Sequence, residues 1–443
     1  MMAMADTITG STPFSLRLPS LRTVLQILFA IAIWYGSDGA SASYQYYPHA
    51  LDDIGSMTLN EVLVLVVSAG AIVLLIMRGD IGIPKSRLHI PTLIFFLTVF
   101  IPWVRMCYME GAIRIPYEMH RTMGFFSAYI LVFILFERSE AKKLFLILLG
   151  IGIAKGLEAC IGYILQPTAD SSWAALSEWR DGLVQGMMLI SWLIMYCYRN
   201  EISRSKFVFA TAGFLITAAG FIVSIRRSFI YGLPLACMAM LIGLDSKHKK
   251  NLFRGFWLLI GIATAWIFVI NPTRFLTRLA VVGNPMEEWS TAYRIYELKN
   301  VLLTVADSPW IGYPLGVPYT WHTLFPLGEW LSPLAAHDVY LNILLRNGIF
   351  GLGIMGFYIF VTGRSMIACV KNARTTFEKI CSSSIAGWWA LFLIASFTAP
   401  LLTVTRSAII GGLIIALTGL LEEPMQTSPP TLKYASSDIE SRY

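Results

Sequence analysis

FVFATAGFLITAAGFIVSIRRSFIYGLPLACMAMLIGL, from Phe207 to Leu244, is two apolar runs, 207–225 and 228–244, separated by a short turn that carries Arg226 and Arg227. Each run is close to the roughly 17–25 residues that carry a helix across a bilayer. Backbone in hydrocarbon must satisfy its own hydrogen bonds, which makes each run a helix rather than an isolated strand. Clusters of Lys and Arg bound the pair: Arg199, Arg204 and Lys206 before it, Lys247, Lys249, Lys250 and Arg254 after it. Basic linkers mark the cytoplasmic side. The Arg226-Arg227 turn therefore faces outward, against the usual bias.

Working outward, the same reading gives further apolar stretches at 21–36, 59–77, 90–104, 122–136, 144–166, 182–198, 255–271, 348–363, 380–399 and 407–421. A chain of 443 residues that is 56% hydrophobic and 14% charged fits no soluble globular class. The expectation is an all-α polytopic membrane protein of about twelve transmembrane helices, both termini cytoplasmic, with Arg17 and Arg22 ahead of the first span. The first apolar run lacks a small-residue cleavage site and reads as a span rather than a signal peptide. Five linkers read as cytoplasmic, and they hold 9 Lys and 8 Arg. Basic residues in the opposite linkers are Arg105, Arg114, Arg121, Arg180, Arg226, Arg227, Arg274, Arg278, Arg294 and Arg406, with Lys299 the one lysine. An outer face poor in Lys but furnished with Arg points to a grip on a multiply charged anion, because the guanidinium fork matches phosphate oxygens. The net charge of +7 follows from this topology and implies no nucleic-acid partner.

One linker, Pro272 to Asn347, is far longer than the rest and lies on the Arg-rich side, and loops of that length are usually functional. The expected organisation is spans 1–9 in residues 1–271, a partly helical catalytic loop at 272–347, spans 10–12 in 348–421, and a disordered cytoplasmic tail at 422–443. Within the loop, STAYRIYELKNVLLTV (Ser290–Val305) has helical apolar spacing with Ser290 as a candidate N-cap. Asp307-Ser308-Pro309 ends it. Trp310 to Leu327 is rich in Gly, Pro and aromatics and reads as irregular and interfacial, and a second helix begins near His337 in AHDVYLNILLRNG. The six cysteines are scattered without C-x-x-C spacing, and no nucleotide-binding loop or metal motif occurs. No metal or cofactor is expected.

Three elements in order carry a resemblance: SIRRSFIYG at Ser224–Gly232, YRIYELKNVLLTVADSPWIGYPLG at Tyr293–Gly316, and HDVYLNILLRNGIFGLG at His337–Gly353. Together they resemble the O-antigen ligase and O-antigen polymerase superfamily of bacterial envelope glycan enzymes. That family shows an S-R element after an outward span, an Arg, a P-x-x-G-x-G-x-G turn, and H-N-x-x-L before an E/R-x-G-x-x-G span. Two positions depart from its pattern: Pro314 replaces the middle Gly of the turn, and Asp338 stands where Asn is usual.

The resemblance implies transfer of a glycan from an undecaprenyl (polyprenyl) diphosphate carrier to a sugar hydroxyl, with the active site at the periplasmic face of the inner membrane. The acceptor is lipid A–core for a ligase, or a growing carrier-linked glycan for a polymerase; a ligase is slightly favoured. The donor bond is already activated, so no nucleotide is needed, and Arg can stabilise charge that grows on the leaving diphosphate. His337 is the candidate base. Arg294, with Arg227 or Arg226, is the candidate diphosphate clamp. Arg406, Arg346 and His322 are weaker candidates, and Arg294 could instead pair with Glu297 or Glu287.

A different class competes. Lys155 and Glu158 lie within the span of GIGIAKGLEACIGY, where charges are costly, and a twelve-span chain carrying such a pair could be a secondary transporter. The favoured reading is a mutual i, i+3 salt bridge. Transporters also show internal repeats, and the single large loop makes the two halves of this chain unlike. Gly152 and Gly156 form a G-x-x-x-G, a close-packing signal.

Overall fold

The structure, a computed structural model, describes residues 20–35, 59–79, 84–111, 117–165, 181–224, 227–241, 244–270, 289–320, 336–397, 399, 401–403 and 405–422. Thirteen α-helices occur among them, and no strand. In chain order they are α1 (Leu21–Tyr35), α2 (Leu59–Arg78), α3 (His89–Glu110), α4 (Tyr117–Leu135), α5 (Ala141–Leu165), α6 (Asp181–Cys197) and α7 (Arg204–Ser224). There follow α8 (Arg227–Met240), α9 (Ser246–Ile270), α10 (Trp289–Ala306), α11 (Val339–Asn372), α12 (Thr376–Ala395) and α13 (Thr405–Leu421). Every apolar stretch read from the sequence coincides with a helix. Among the described residues four helical segments are long and apolar enough to cross a membrane: His89–Glu110, Arg138–Ile161, Arg204–Ile222 and Val339–Asn372. Five more apolar helices are shorter. The chain thus has the build of a multi-pass membrane protein. The expected tail lies outside the described residues apart from Glu422.

Helices in lipid gain little from apolar burial against one another, so close backbone approach through small residues takes over. Helices α5 and α7 show it: a Cβ on Gly156 would stand 2.6 Å from the Thr217 Cα, and one on Gly220 would stand 2.5 Å from the Gly156 carbonyl oxygen. Helix α13, apolar on all sides and buried from Ala408 to Leu417, is the central post. Its Gly412 lies so close to α4 that a Cβ there would stand 2.0 Å from the Phe125 carbonyl oxygen. On outward faces Ile72, Ile76, Phe209 and Trp257 are exposed, as lipid-facing side chains are.

Lys155 donates to Glu158 at 2.5 Å, and Glu158 also accepts from the Trp34 indole N–H at 2.8 Å. The expected intrahelical pair therefore forms, and it ties α5 to α1. Its charges are compensated within the fold, which is what a charge at this depth requires.

Polar contacts sort to two ends. At one end Arg22 meets Glu137 and Glu140 and donates its Nε to the Leu135 carbonyl at 2.8 Å. There too Glu422 accepts from Ser86 and from the Arg87 backbone, and Glu201 meets His248 and Thr376. These are the linkers read as cytoplasmic. The other end holds the close of α3, helix α10, the 307–320 segment and the start of α11.

Candidate functional site

The start of α11 carries the local architecture. Asp338 is its N-cap, and the side chain accepts from the backbone N–H of Tyr340 at 2.7 Å and Leu341 at 3.1 Å. Asp and Asn serve equally well at such a position, so the departure from the family's Asn leaves the helix start intact. Burial raises the Asp338 pKa, while those two backbone bonds and the charge of Arg294 lower it in part.

Helix α11 is broken once, at Gly348, with φ 62° and ψ −161°, a conformation open to glycine and scarcely to other residues. The reason lies opposite: a Cβ at 348 would stand 2.4 Å from the Trp310 carbonyl group. The Pro309–Gly316 turn is docked into this break. Ile349 N donates to Pro309 O at 2.8 Å, Phe350 N to Trp310 O at 3.3 Å, and Tyr313 N to Leu345 O at 2.8 Å. Gly312 and Gly316 take φ 59° and 77°. Pro314, whose ring fixes φ near −65°, sits between the two glycines that turn the chain. Its carbonyl accepts from Arg346, so the substituted position is compatible with a docked turn.

Two arginines spend their guanidinium groups on this turn. Arg346, buried, donates to the carbonyls of Pro314 at 2.6 Å and Val317 at 2.8 Å. Arg105, from the last turns of α3, donates to Ile311 O at 2.8 Å and Gly312 O at 3.1 Å. Helix α3 contributes a further tie. Pro102 has no N–H to offer the Thr98 carbonyl one turn back, and the Asn347 amide donates to that carbonyl instead at 2.6 Å. Pro102 O in turn accepts from Leu315 N at 3.2 Å. The turn, the kink of α11 and the end of α3 thus form one hydrogen-bonded unit. A cavity lined by Pro102, Thr122, Leu315, Val339 and Asn342 lies along it.

His337 stands immediately before the cap. Its side chain is 43% exposed, and its ring Nδ1 lies 3.0 Å from Oε1 of Glu297. The backbone N–H of His337 donates to Oε2 of the same carboxylate at 3.2 Å. Glu297 is 1% exposed, an acid sunk into the face of α10 that also carries Tyr293, Asn300, Val301 and Thr304. The Tyr293 ring meets the imidazole edge-on, centroids 5.4 Å apart, and its hydroxyl lies 3.3 Å from that of Tyr319. Burial first, and then the negative charge of Glu297, pushes both phenol pKa values well up, so both hydroxyls remain protonated. Nδ1 is the ring nitrogen that faces the carboxylate, and Nε2 makes no hydrogen bond among the described residues.

Arg294 is exposed on α10, one turn from Glu297, and its charge reaches Asp338. The structure therefore brings Arg294 and His337 to the same end, joined through α10. No protein-family model and no curated protein matches this chain. Function rests on the residues themselves.

Arg226 and His322 lie outside the described residues, and Arg227 and Arg406 open α8 and α13 with side chains that are not described. Arg346, one of the weaker candidates, is engaged by the turn. Ser290 falls in the first turn of α10, one residue inside its start, rather than capping it. The sequence reading gives Glu297 only as an Arg294 partner; its acidic position within the apolar stripe of α10 is the signal for a buried polar contact.

Proposed function

We propose that the protein is a membrane glycosyltransferase that moves a glycan from a polyprenyl diphosphate donor to an acceptor hydroxyl at the periplasmic face, in the manner of an O-antigen ligase. In this reading the chain crosses the inner membrane about twelve times, and Pro272 to Asn347 forms the catalytic loop. The observation that carries the proposal is His337: a half-exposed imidazole clasped at its backbone and at Nδ1, beside an arginine-bearing helix, at the end of the bundle opposite the Lys-rich linkers.

The chemistry follows from those parts. The acceptor oxygen attacks the anomeric carbon as its proton passes to His337 Nε2, and the bond from that carbon to the diphosphate oxygen breaks. The diphosphate leaves with the electron pair and gains negative charge, for which Arg294 is a placed cation. A hydrogen bond to a charged group contributes about 1.5–3 kcal/mol, so two contacts that strengthen in the transition state supply roughly 10²–10⁴-fold in rate. Direct displacement inverts the anomeric centre, as the family resemblance implies. Arg226 and Arg227 are the further clamp candidates.

The test is His337→Ala in purified protein supplied with a polyprenyl-diphosphate glycan and lipid A–core. Transfer is expected to vanish while protein level and donor binding persist. Wild-type turnover in that variant would remove His337 from the mechanism. A ladder of longer carrier-linked glycans in the wild type, with the core untouched, would identify a polymerase with the same donor chemistry.

A further inference from the structure

We propose that Glu297 is the positioning residue of the base: its carboxylate holds the His337 ring with the proton on Nδ1, so that Nε2 presents its lone pair to the acceptor hydroxyl. The proposal rests on the glycan-transfer reading of His337.

Three observations lead to it. The first is geometric. A single carboxylate takes two bonds from one residue, Oε2 from the His337 backbone N–H at 3.2 Å and Oε1 from ring Nδ1 at 3.0 Å. Fixing both the backbone and the ring of one residue sets the plane and the direction of the imidazole, which a single bond would leave free to rotate. The second is environment. Glu297 is 1% exposed, whereas the His337 side chain is 43% exposed, so the contact has a buried, rigid half and an open, reactive half. Among the described residues His337 is the one ion-pair partner of Glu297. The third is the cradle around the acid. The Tyr293 ring abuts the imidazole edge-on, its hydroxyl lies 3.3 Å from that of Tyr319, and the nearby Glu297 helps to raise both phenol pKa values. A buried carboxylate needs hydrogen-bond donors to stay charged.

In the reaction the acceptor O–H bond breaks with its proton passing to Nε2, the new C–O bond forms, and the diphosphate departs with its electrons. The ring is then an imidazolium, and the adjacent Glu297 charge stabilises it while Nδ1 keeps its own proton. The excess proton leaves from Nε2 to water or to the released diphosphate. Glu297 touches no reacting atom; it acts through His337.

A simple latch between α10 and the start of α11 would use the same bonds, so the test must read the ring itself. Nitrogen-15 NMR of histidine-labelled full-length protein in nanodiscs, assigned with the His337→Ala variant, distinguishes the two neutral tautomers. Wild type is expected to show His337 protonated on Nδ1, with Glu297→Asp retaining that state. Glu297→Gln offers an amide N–H to the ring in place of charge and is expected to release or reverse it. In parallel, Glu297→Gln is expected to lower kcat for glycan transfer by about 100-fold or more, the low end of what a placed base contributes. Binding of the polyprenyl-diphosphate donor should change little, and Glu297→Asp should recover part of the loss. An Nε2-protonated His337 in the wild type, or a Glu297→Gln enzyme with near wild-type kcat, overturns the proposal. A different pattern would strike the transfer reading instead. There the wild-type ring is protonated on Nδ1, yet His337→Ala transfers glycan normally; the pair is then a latch and the catalytic role of Glu297 falls with that reading.

Discussion

Gly348→Ala tests how the site is held. The alanine Cβ would arrive 2.4 Å from the Trp310 carbonyl group and 2.6 Å from the Ile311 nitrogen. Backbone atoms cannot swing aside as a side chain can. The Pro309–Gly316 turn must retreat by roughly 1 Å to reach an ordinary contact of about 3.5 Å. That retreat breaks the bonds from Ile349 N to Pro309 O and from Phe350 N to Trp310 O. Each is worth about 0.5–1.5 kcal/mol net, and the glycine-only backbone conformation adds about 1–3 kcal/mol of strain for alanine, giving roughly 2–6 kcal/mol in all. The cost falls on the docking of the turn, because the membrane-crossing part of α11 continues beyond the kink. Hydrogen exchange in detergent or nanodiscs should therefore rise by about one to four orders of magnitude at residues 309–317, with the apolar helices still protected. Arg346, which donates to Pro314 O and Val317 O, should lose those two partners with it. Gly353→Ala is the control: a Cβ there meets nothing within 4 Å, and exchange should not change. Unaltered protection of 309–317 in Gly348→Ala would refute the argument.

Other variants probe separate links. Asn347→Ala should destabilise by about 1–3 kcal/mol, because it orphans the Thr98 carbonyl that Pro102 leaves without a helical donor. In a Pro102→Ala background the new N–H at 102 can take over, so the same substitution should cost clearly less; equal losses of Tm in both backgrounds would disprove the link. Glu158→Ala removes the carboxylate that the buried Lys155 ammonium donates to and should destabilise by about 3 kcal/mol, whereas Lys155→Met with Glu158→Ala should recover much of the Tm. No recovery in the double variant would mean the charge pair is not the source. Arg294→Lys keeps the charge but loses the fork, and should weaken donor affinity or turnover by about tenfold, the value of one lost charged contact near 1.4 kcal/mol. Normal donor binding and turnover would make Arg294 structural.

How much of this was legible in the sequence follows from the length scale of each signal. The apolar runs are long and locally determined, so each falls on a helix. The Lys155–Glu158 bridge and the Gly152/Gly156 contact follow from helical spacing alone and appear as expected. The Ser290–Val305 helix was equally readable, within a residue. What escaped depends on partners distant in the chain. Arg105 reads as one outward arginine among ten, yet it serves carbonyls more than two hundred residues away. Arg346 reads as a candidate phosphate ligand, and that its Nη1 holds the carbonyls of Pro314 and Val317, some thirty residues back, is not visible in local spacing. Glu297 reads beside Arg294 because the two are one turn apart; that its buried carboxylate also holds His337, forty residues on, is not visible in local spacing. Gly348 sits in a glycine-rich run, and only the docked Trp310 explains why that glycine breaks the helix.

Glycan transfer from a lipid diphosphate with His337 as base is tested by a single-turnover reaction of purified wild type and His337→Ala with a polyprenyl-diphosphate glycan and lipid A–core, resolved by gel and mass spectrometry. Glycan on the core with wild type, and none with the variant at equal donor occupancy, is the predicted result. No product from wild type with verified lipids would contradict the account and turn attention to transport.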